Sequence, residues 1–286
     1  MQMSGRIRVR LFRVFTRALG WLPGKVNAVH MAIWLGILDG DDLNEVTAGS
    51  YDDASGFGTE KHNLRGLWPW EEAAMATSFR DCRRLLVAAA GGGREAIALA
   101  KQGFAVAAFD SSTLLTAACK TNADLANVQV AVHDARPDEV PSGLGEYDGL
   151  IVGRGAYHHI PGRSRRVRFL RKCGQHLSPG ARVFVGDFQV QPEDARGHLW
   201  TARIAGAIRR LRRGEEIEAG DALNEHNFYH RFVREEIQTE LHDAGFELES
   251  FEPAPFGDDS NLGYAVGRWQ PPGDPSPEPM ENEAGM

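Results

Sequence analysis

Between residues 85 and 110 the chain runs through a short apolar stretch, three consecutive glycines, a helical stretch and a second apolar stretch that ends in an acid. Leu85-Leu86-Val87-Ala88 reads as a strand and Ala96-Ile97 with Leu99-Ala100 as one face of a helix. Gly91-Gly92-Gly93 supplies a turn too tight for side chains between them. Phe104 to Phe109 is the second strand, closed by Asp110. A helix interposed between two strands makes them parallel, and parallel sheets are covered on both faces. The rhythm continues. Ser111-Ser112 caps a helix to Asn122, and Val128–Val132 is a third strand ended by His133-Asp134. Leu150-Ile151-Val152 is a fourth, followed by an arginine-rich helix from Arg163 to His176. Ser178-Pro179-Gly180 turns into a fifth, Arg182–Val185. This order predicts an α/β fold on a mostly parallel sheet. After a helix over Val233–Asp243, stopped by Gly245, Phe246–Phe251 and Leu262–Trp269 follow with no helix between them, which predicts a terminal antiparallel strand pair.

Three segments fall outside this pattern. Residues 1–75 read as a helical N-terminal cap or lid, with Val26–Leu38 a buried helix stopped by Asp39-Gly40-Asp41 and an aromatic loop from Tyr51 to Trp70. Residues 190–230 read as a helical insert within a main domain spanning 76–270. Residues 271–286 are rich in proline and acid and are expected to be a disordered tail. A net charge of -7 argues against a nucleic-acid partner. Cys82, Cys119 and Cys173 lie far apart without metal spacing, so no metal site is expected, and a reducing, cytoplasmic setting suits them. No stretch is apolar enough for a membrane span. Met1–Leu38 nevertheless holds five arginines, one lysine and no acid. Arg6, Arg10, Arg13 and Arg17 share one helical face, with Leu11, Phe12, Phe15, Leu19 and Leu22 on the other. Two readings stand: a cap helix packed on its own domain, or peripheral membrane contact through residues 6–22.

A nucleoside cofactor on a parallel sheet needs a bare turn after the first strand, a carboxylate after the second for the ribose, and a polar group after the third near the base. Gly91-Gly92-Gly93, Asp110 and Asp134 stand in that order, and Asp110 follows Gly91 by 19 residues. The spacing Gly91-x-Gly93-x-x-Ala96 also fits a dinucleotide loop, so an NAD(P)-dependent oxidoreductase is the rival reading. Against it, Glu95 puts an acid where a pyrophosphate wants none, and the terminal strand pair departs from a second parallel half.

Leu85 to Asp110 resembles the first two motifs of class I S-adenosylmethionine-dependent methyltransferases, in an Ala-Gly-Gly-Gly-Arg-Glu form. Tyr147 to Ile160, closing on His158-His159-Ile160, is similar to the family's fourth-strand motif. Leu177–Val185 resembles the turn and strand that follow, and Phe232–Phe251 the late helix, Ala-Gly-Phe turn and sixth strand. The resemblance covers about residues 82–269 and implies a Rossmann-like seven-stranded sheet, its last strand inserted antiparallel, with S-adenosylmethionine as cofactor. It implies that Ala89, Ala90, Gly91, Gly92 and Gly93 wrap the cofactor's amino-acid portion and that Asp110 and Ser111 hold the ribose side. Asp134 and Ala135 would face the adenine, and Gly153 and Arg154 the methionine. Val87 and Ala89 stand where the family places an acid and a glycine, which leaves Glu95 to compensate for the cofactor's ammonium.

A sulfonium methyl is already electrophilic, so a base is needed only where the acceptor must lose a proton early. Catalytic candidates at strand ends are His158, His159 and Asp187, with Tyr229, His230 and His226 on the insert. Each has a plainer explanation as a loop, capping or exposed helix-start residue. The arginines of 163–172 and 203–213 read as solvated helix faces. The expected activity is methyl transfer to a small-molecule acceptor, with a non-catalytic cofactor-binding protein as a further alternative.

Overall fold

The computed structural model describes residues 5–19, 24–53, 56–190, 196–254 and 261–271. Among the described residues five helices precede the sheet: α1 (Gly5–Leu19), α2 (Gly24–Ile37), α3 (Gly40–Asp53), α4 (Glu60–Asn63) and α5 (Pro69–Ser78). The alternating part follows as β1 (Arg84–Ala88), α6 (Arg94–Lys101), β2 (Ala105–Asp110), α7 (Thr113–Leu125), β3 (Val130–Asp134) and β4 (Tyr147–Val152). Next come α8 (Ala156–His159), α9 (Arg163–Gly174) and β5 (Leu177–Gln189), then α10 (Arg196–Leu211) and the short strands β6 (Asp221–Leu223) and β7 (Phe228–His230). The chain closes with α11 (Arg234–Ala244), β8 (Phe246–Pro253) and β9 (Leu262–Trp269).

The sheet has seven strands in the order β3-β2-β1-β4-β5-β9-β8. β3, β2, β1, β4 and β5 are mutually parallel, and β9 runs antiparallel to both β5 and β8. The expected α/β class and terminal antiparallel pair are therefore present. The order departs from the 3-2-1-4-5-6 arrangement of a dinucleotide fold at the β9-β8 end. Successive strand residues serve opposite faces. Leu86 and Ala88 pack toward α9 and α11 with Val167, Leu170, Ile237 and Leu241. Leu85 and Val87 pack toward α5 and α6 with Trp70, Met75, Ala96 and Leu99.

A third core lies apart from the sheet. It joins Val9 and Phe12 of α1, Trp34 and Leu35 of α2, Ala205 of α10 and Phe228 of β7. The N-terminal helices and the insert, far apart in sequence, thus share one core. Arg209 of α10 ties it together by donating to the carbonyls of Leu35 and Gly36 at 2.7 and 3.2 Å, and also to that of Leu38. These carbonyls belong to the end of α2, where helical partners run out and a cation meets the negative end of the helix dipole.

Several expectations need correction. The 190–230 insert is only partly helical, because Phe228-Tyr229-His230 pairs with Asp221–Leu223 as a hairpin. Tyr51 sits on α3 and Trp70 on α5, so helices bound the aromatic loop, which keeps Phe57 in a turn and Trp68 at the cap of α5. Ser178-Pro179-Gly180 lies inside β5, beside a register shift against β4, and does not precede the strand. Asp39 ends α2, yet a new helix begins at Gly40. Beyond residue 271 the expected tail lies outside the described residues.

Arg166 on α9 and Arg209 on α10 also overturn the reading of solvated arginine faces. Arg166 is fully buried. Its Nε donates to both Glu240 carboxylate oxygens at 3.1 and 3.0 Å, and its Nη2 to Glu240 and Glu218 at 2.6 and 2.7 Å. The Tyr157 hydroxyl donates to the same Glu240 at 2.6 Å. One guanidinium thus joins α9, α11, α8 and the insert. Removing one partner of such a buried pair leaves an uncompensated charge and costs about 3–5 kcal/mol. Arg166→Met is expected to lower the unfolding free energy by that amount in urea titration, whereas substitution of the exposed Arg168 should leave it within about 0.5 kcal/mol.

Candidate functional site

A cavity of about 490 Å³ opens at the carboxyl ends of β1, β2 and β4, where ligands bind in open α/β sheets. Its floor is the turn after β1. Ala89 and Gly91 both adopt left-handed backbone, at φ 52° and 53°. Ala90 N–H donates to the Phe109 carbonyl at 3.0 Å, and Gly91 N–H to Oδ2 of Asp110 at 2.8 Å. Ser112 N–H donates to Oδ1 of Asp110 at 2.9 Å. The Asp110 carboxylate is therefore fixed by a backbone donor on each oxygen, beside the turn it serves. A Cβ at Gly91 would meet nothing within 4 Å, so the bare face of this residue leaves room above the turn. Gly92 is bare for another reason: a Cβ there would come within 2.5 Å of Asn63 Nδ2 and the Phe57 carbonyl.

One wall is ionic. Arg94, at the start of α6, donates to Glu71 of α5 through both terminal nitrogens at 2.6 Å and to Glu95 at 2.6 Å. Arg94, Glu71 and Glu95 are all buried. Two carboxylates thus share one guanidinium. Glu71 also accepts from Trp68 N–H at 2.7 Å, which caps α5. Glu95 accepts from Arg154 N–H at 3.2 Å and lines the cavity.

The roof comes from the lid: Asn44, Thr47 and Tyr51 of α3, then Phe57, and His62 and Asn63 of α4. Burial, and then the charge of Asp110, push the Tyr51 hydroxyl up to about 12, so it stays protonated. The far side is α8. His158 Nδ1 accepts from Gln189 N–H at 3.2 Å, which places the ring's proton on Nε2. His159 Nδ1 donates to the Phe228 carbonyl at 2.5 Å, which leaves its Nε2 a bare acceptor. The two rings lie 4.2 Å apart and both line the cavity. Burial lowers His159 to about 4 and His158 well below the usual imidazole value. Both are neutral at pH 7, one offering a donor and the other an acceptor.

Of the residues singled out in the sequence, Ala89, Ala90, Gly91, Gly92, Asp110, Ser111, Ala135 and Arg154 line this cavity, as do His158 and His159. Gly93, Gly153 and Asp134 do not. Gly93 abuts Cys119 and Gly153 the Ala89 carbonyl, while Asp134 is an exposed residue of β3 bonded to the Thr116 hydroxyl. Asp187 lies within β5, and its side chain falls outside the described residues. Tyr229 and the exposed His226 border a separate cavity under α2. His230 is fully buried, 2.8 Å from Asp221 and 3.6 Å from Glu236. Burial disfavours its charge, but these two carboxylates push it up to about 9. Glu218, Asp221 and His230 are close enough to hold a metal ion. Arg166 on Glu218 and the protonated His230 on Asp221 already supply that positive charge. Sequence reasoning missed Asn44, Thr47 and His62, which no local motif marks and which reach the cavity only through the packing of α3 and α4.

Residues 61–250 match the protein family described as a methyltransferase domain. No curated protein matches in sequence. Among solved structures, a SAM-dependent methyltransferase of Methanosarcina mazei aligns at TM-score 0.57 and 16% identity, over 72% of this chain and 99% of its own. The 1,6-didemethyltoxoflavin-N1-methyltransferase of Burkholderia thailandensis aligns at TM-score 0.58 and 18% identity, over 81% and 90%. A methyltransferase of Clostridium acetobutylicum aligns at 0.53 and 7%, over 80% and 98%. At these identities the likeness is one of fold. The chain belongs to the methyltransferase family, with the class I Rossmann-like fold.

The three buried imidazoles set a pH dependence. His230, raised to about 9, contributes stability that is whole below pH 6.5 and is lost as pH climbs toward 9. His158 and His159, both lowered, contribute nothing adverse above 6.5 but destabilise as pH falls, because the unfolded chain then binds protons that the folded one refuses. Urea midpoints at pH 5, 6.5 and 9 are expected to peak at the middle value. A profile rising steadily from 5 to 9 would contradict the charged His230–Asp221 pair.

Proposed function

We propose that this methyltransferase transfers the methyl group of S-adenosylmethionine to a small, neutral acceptor held between the turn after β1 and the two histidines of α8. The observation that carries the reading is the Asp110 carboxylate, fixed by two backbone N–H groups beside the open face of Gly91. This is an arrangement for receiving a pair of ribose hydroxyls against a close backbone. The cavity and its lining fit such a cofactor. Asp110 and Ser111 would hold the ribose, Ala135 would lie on the adenine side, and Ala89 to Gly92 would meet the amino-acid end. Glu95 is suited to the ammonium, because it shares Arg94 with Glu71 and borders the cavity. Val87, at the position the family usually gives an acid, is buried in the apolar core.

When bound, S-adenosylmethionine supplies an electrophilic methyl on sulfur, so the protein's main tasks are alignment and exclusion of water. The lid does the second, with Tyr51, Phe57 and His62 over the cavity. His158 Nε2–H donates to an acceptor carbonyl or ring nitrogen, and His159 Nε2 accepts from a neighbouring O–H or N–H. Its low basicity confines proton removal to acidic groups of the enol or phenol kind. Neutral imidazoles give no charge attraction, which favours an uncharged acceptor. That the Burkholderia fold-mate was solved with 1,6-didemethyltoxoflavin and S-adenosylhomocysteine supports a small-molecule acceptor.

Calorimetric titration tests the reading. S-adenosylhomocysteine is expected to bind and NAD not to; binding of NAD alone would overturn it. Asp110→Ala should weaken S-adenosylhomocysteine by about 1.5–3 kcal/mol, the scale of hydrogen bonds to a charged group. In a screen of small phenols and enols read by S-adenosylhomocysteine release, His159→Ala is expected to cut turnover about 100-fold. Its affinity for S-adenosylhomocysteine should stay unchanged.

A further inference from the structure

Helix α1 has three stripes where an ordinary amphipathic helix has two. Val9, Phe12 and Thr16 are buried against the lid core. Arg6, Arg10, Arg13 and Arg17 are exposed along one flank. Turned away from the core, Ile7, Val14 and Phe15 are exposed at 49%, 57% and 47%. The neighbouring α2 adds to this third stripe. Its outward positions are Val26, Val29 and Ile33, spaced by three and four residues and 38–49% exposed. Phe15, with its ring 6.1 Å from Trp34, joins the two helices into one surface. Apolar side chains on both sides of α2 are the pattern of a helix covered on both sides.

Charge indicates what covers it. Met1–Leu38 holds six cations and no acid in a chain of net charge -7; Arg8 is buried on Asp39 and Asp42, which leaves Arg6, Arg10, Arg13, Arg17 and Lys25 exposed. A second copy related by a two-fold axis would set this surface against itself, arginine row against arginine row. A sheet of anionic headgroups over an apolar interior matches both stripes at once. No described helix is long and apolar enough to cross a membrane, so contact would lie along the surface. We propose that the α1–α2 face docks on an anionic lipid surface, with Val14, Phe15 and Ile33 entering the headgroup boundary. Arg6, Arg10 and Arg17 would lie on the phosphates. The acidic remainder of the molecule is repelled from that surface, which orients the lid toward it. This goes beyond the methyl-transfer reading and does not depend on it, since none of these side chains lines the cofactor cavity.

The test is co-sedimentation of the full chain with large vesicles. Vesicles of phosphatidylcholine with 30% phosphatidylglycerol are expected to pellet the protein, and to release it as salt rises. Pure phosphatidylcholine should pellet at least tenfold less. Two double variants of exposed residues, Val14→Glu with Phe15→Glu and Arg10→Glu with Arg17→Glu, should each lose binding about tenfold or more while keeping the wild-type melting temperature. No sedimentation with anionic vesicles, or equal sedimentation with both kinds, overturns the proposal. So does light scattering that shows a dimer dissolved by Val14→Glu and Phe15→Glu, since the face would then be covered by a second copy.

Discussion

One guanidinium holds the lid, the first helix of the sheet and the fourth-strand loop in a common frame. Arg94 reaches across to Glu71 on α5 and back to Glu95 on its own helix, and Glu95 takes the backbone N–H of Arg154. The charges are out of water, so the arrangement persists only because each has a partner at hydrogen-bond distance. Glu95, Arg154 and Asp110 all line the cavity beside this cluster.

The same principle, applied with different partners, divides the histidines. His158 and His159 bond to backbone groups, and burial keeps both neutral, helped at His158 by the nearby charges of His230, Arg154 and Arg231. His230 is the most deeply buried of the three but faces Asp221 and Glu236, so it is held as a cation. Neighbouring charge, and not depth, decides which of them can serve the cavity and which braces the lid.

The sheet was legible in the sequence because its signals are local. Leu85–Ala88, the glycines and Asp110 announce strand, turn and strand end within 26 residues. Two strands with no helix between them announced the antiparallel pair. What was not legible depends on contacts across long separations. Arg166 and Arg209 look like solvated arginines until the partner is known, and Glu240 lies 74 residues from Arg166 while Leu35 lies 174 from Arg209. The periodicity of α9 did hold a clue. Arg166 stands four residues before the buried Leu170, on the same helical face. The hairpin at 221–230 was hidden because its strands are three residues long, too short to show alternation. Asp134 does not line the cavity while its neighbour Ala135 does, because the sequence shows that a strand ends but not which side its last residue faces.

The insertion of β9 between β5 and β8 has a consequence for the order of assembly during synthesis. β8 pairs only with β9, and β5 meets β9 along its second edge. As the chain emerges, the parallel part of the sheet forms with β5, thirteen residues long, as an open edge. β8 emerges next and has no strand to join. Both wait for β9, whose arrival closes one edge and seats the other strand in a single step. A nascent chain of this topology thus carries a long unpaired edge until β9 is made, and in that interval it is most exposed to mispairing with a neighbour.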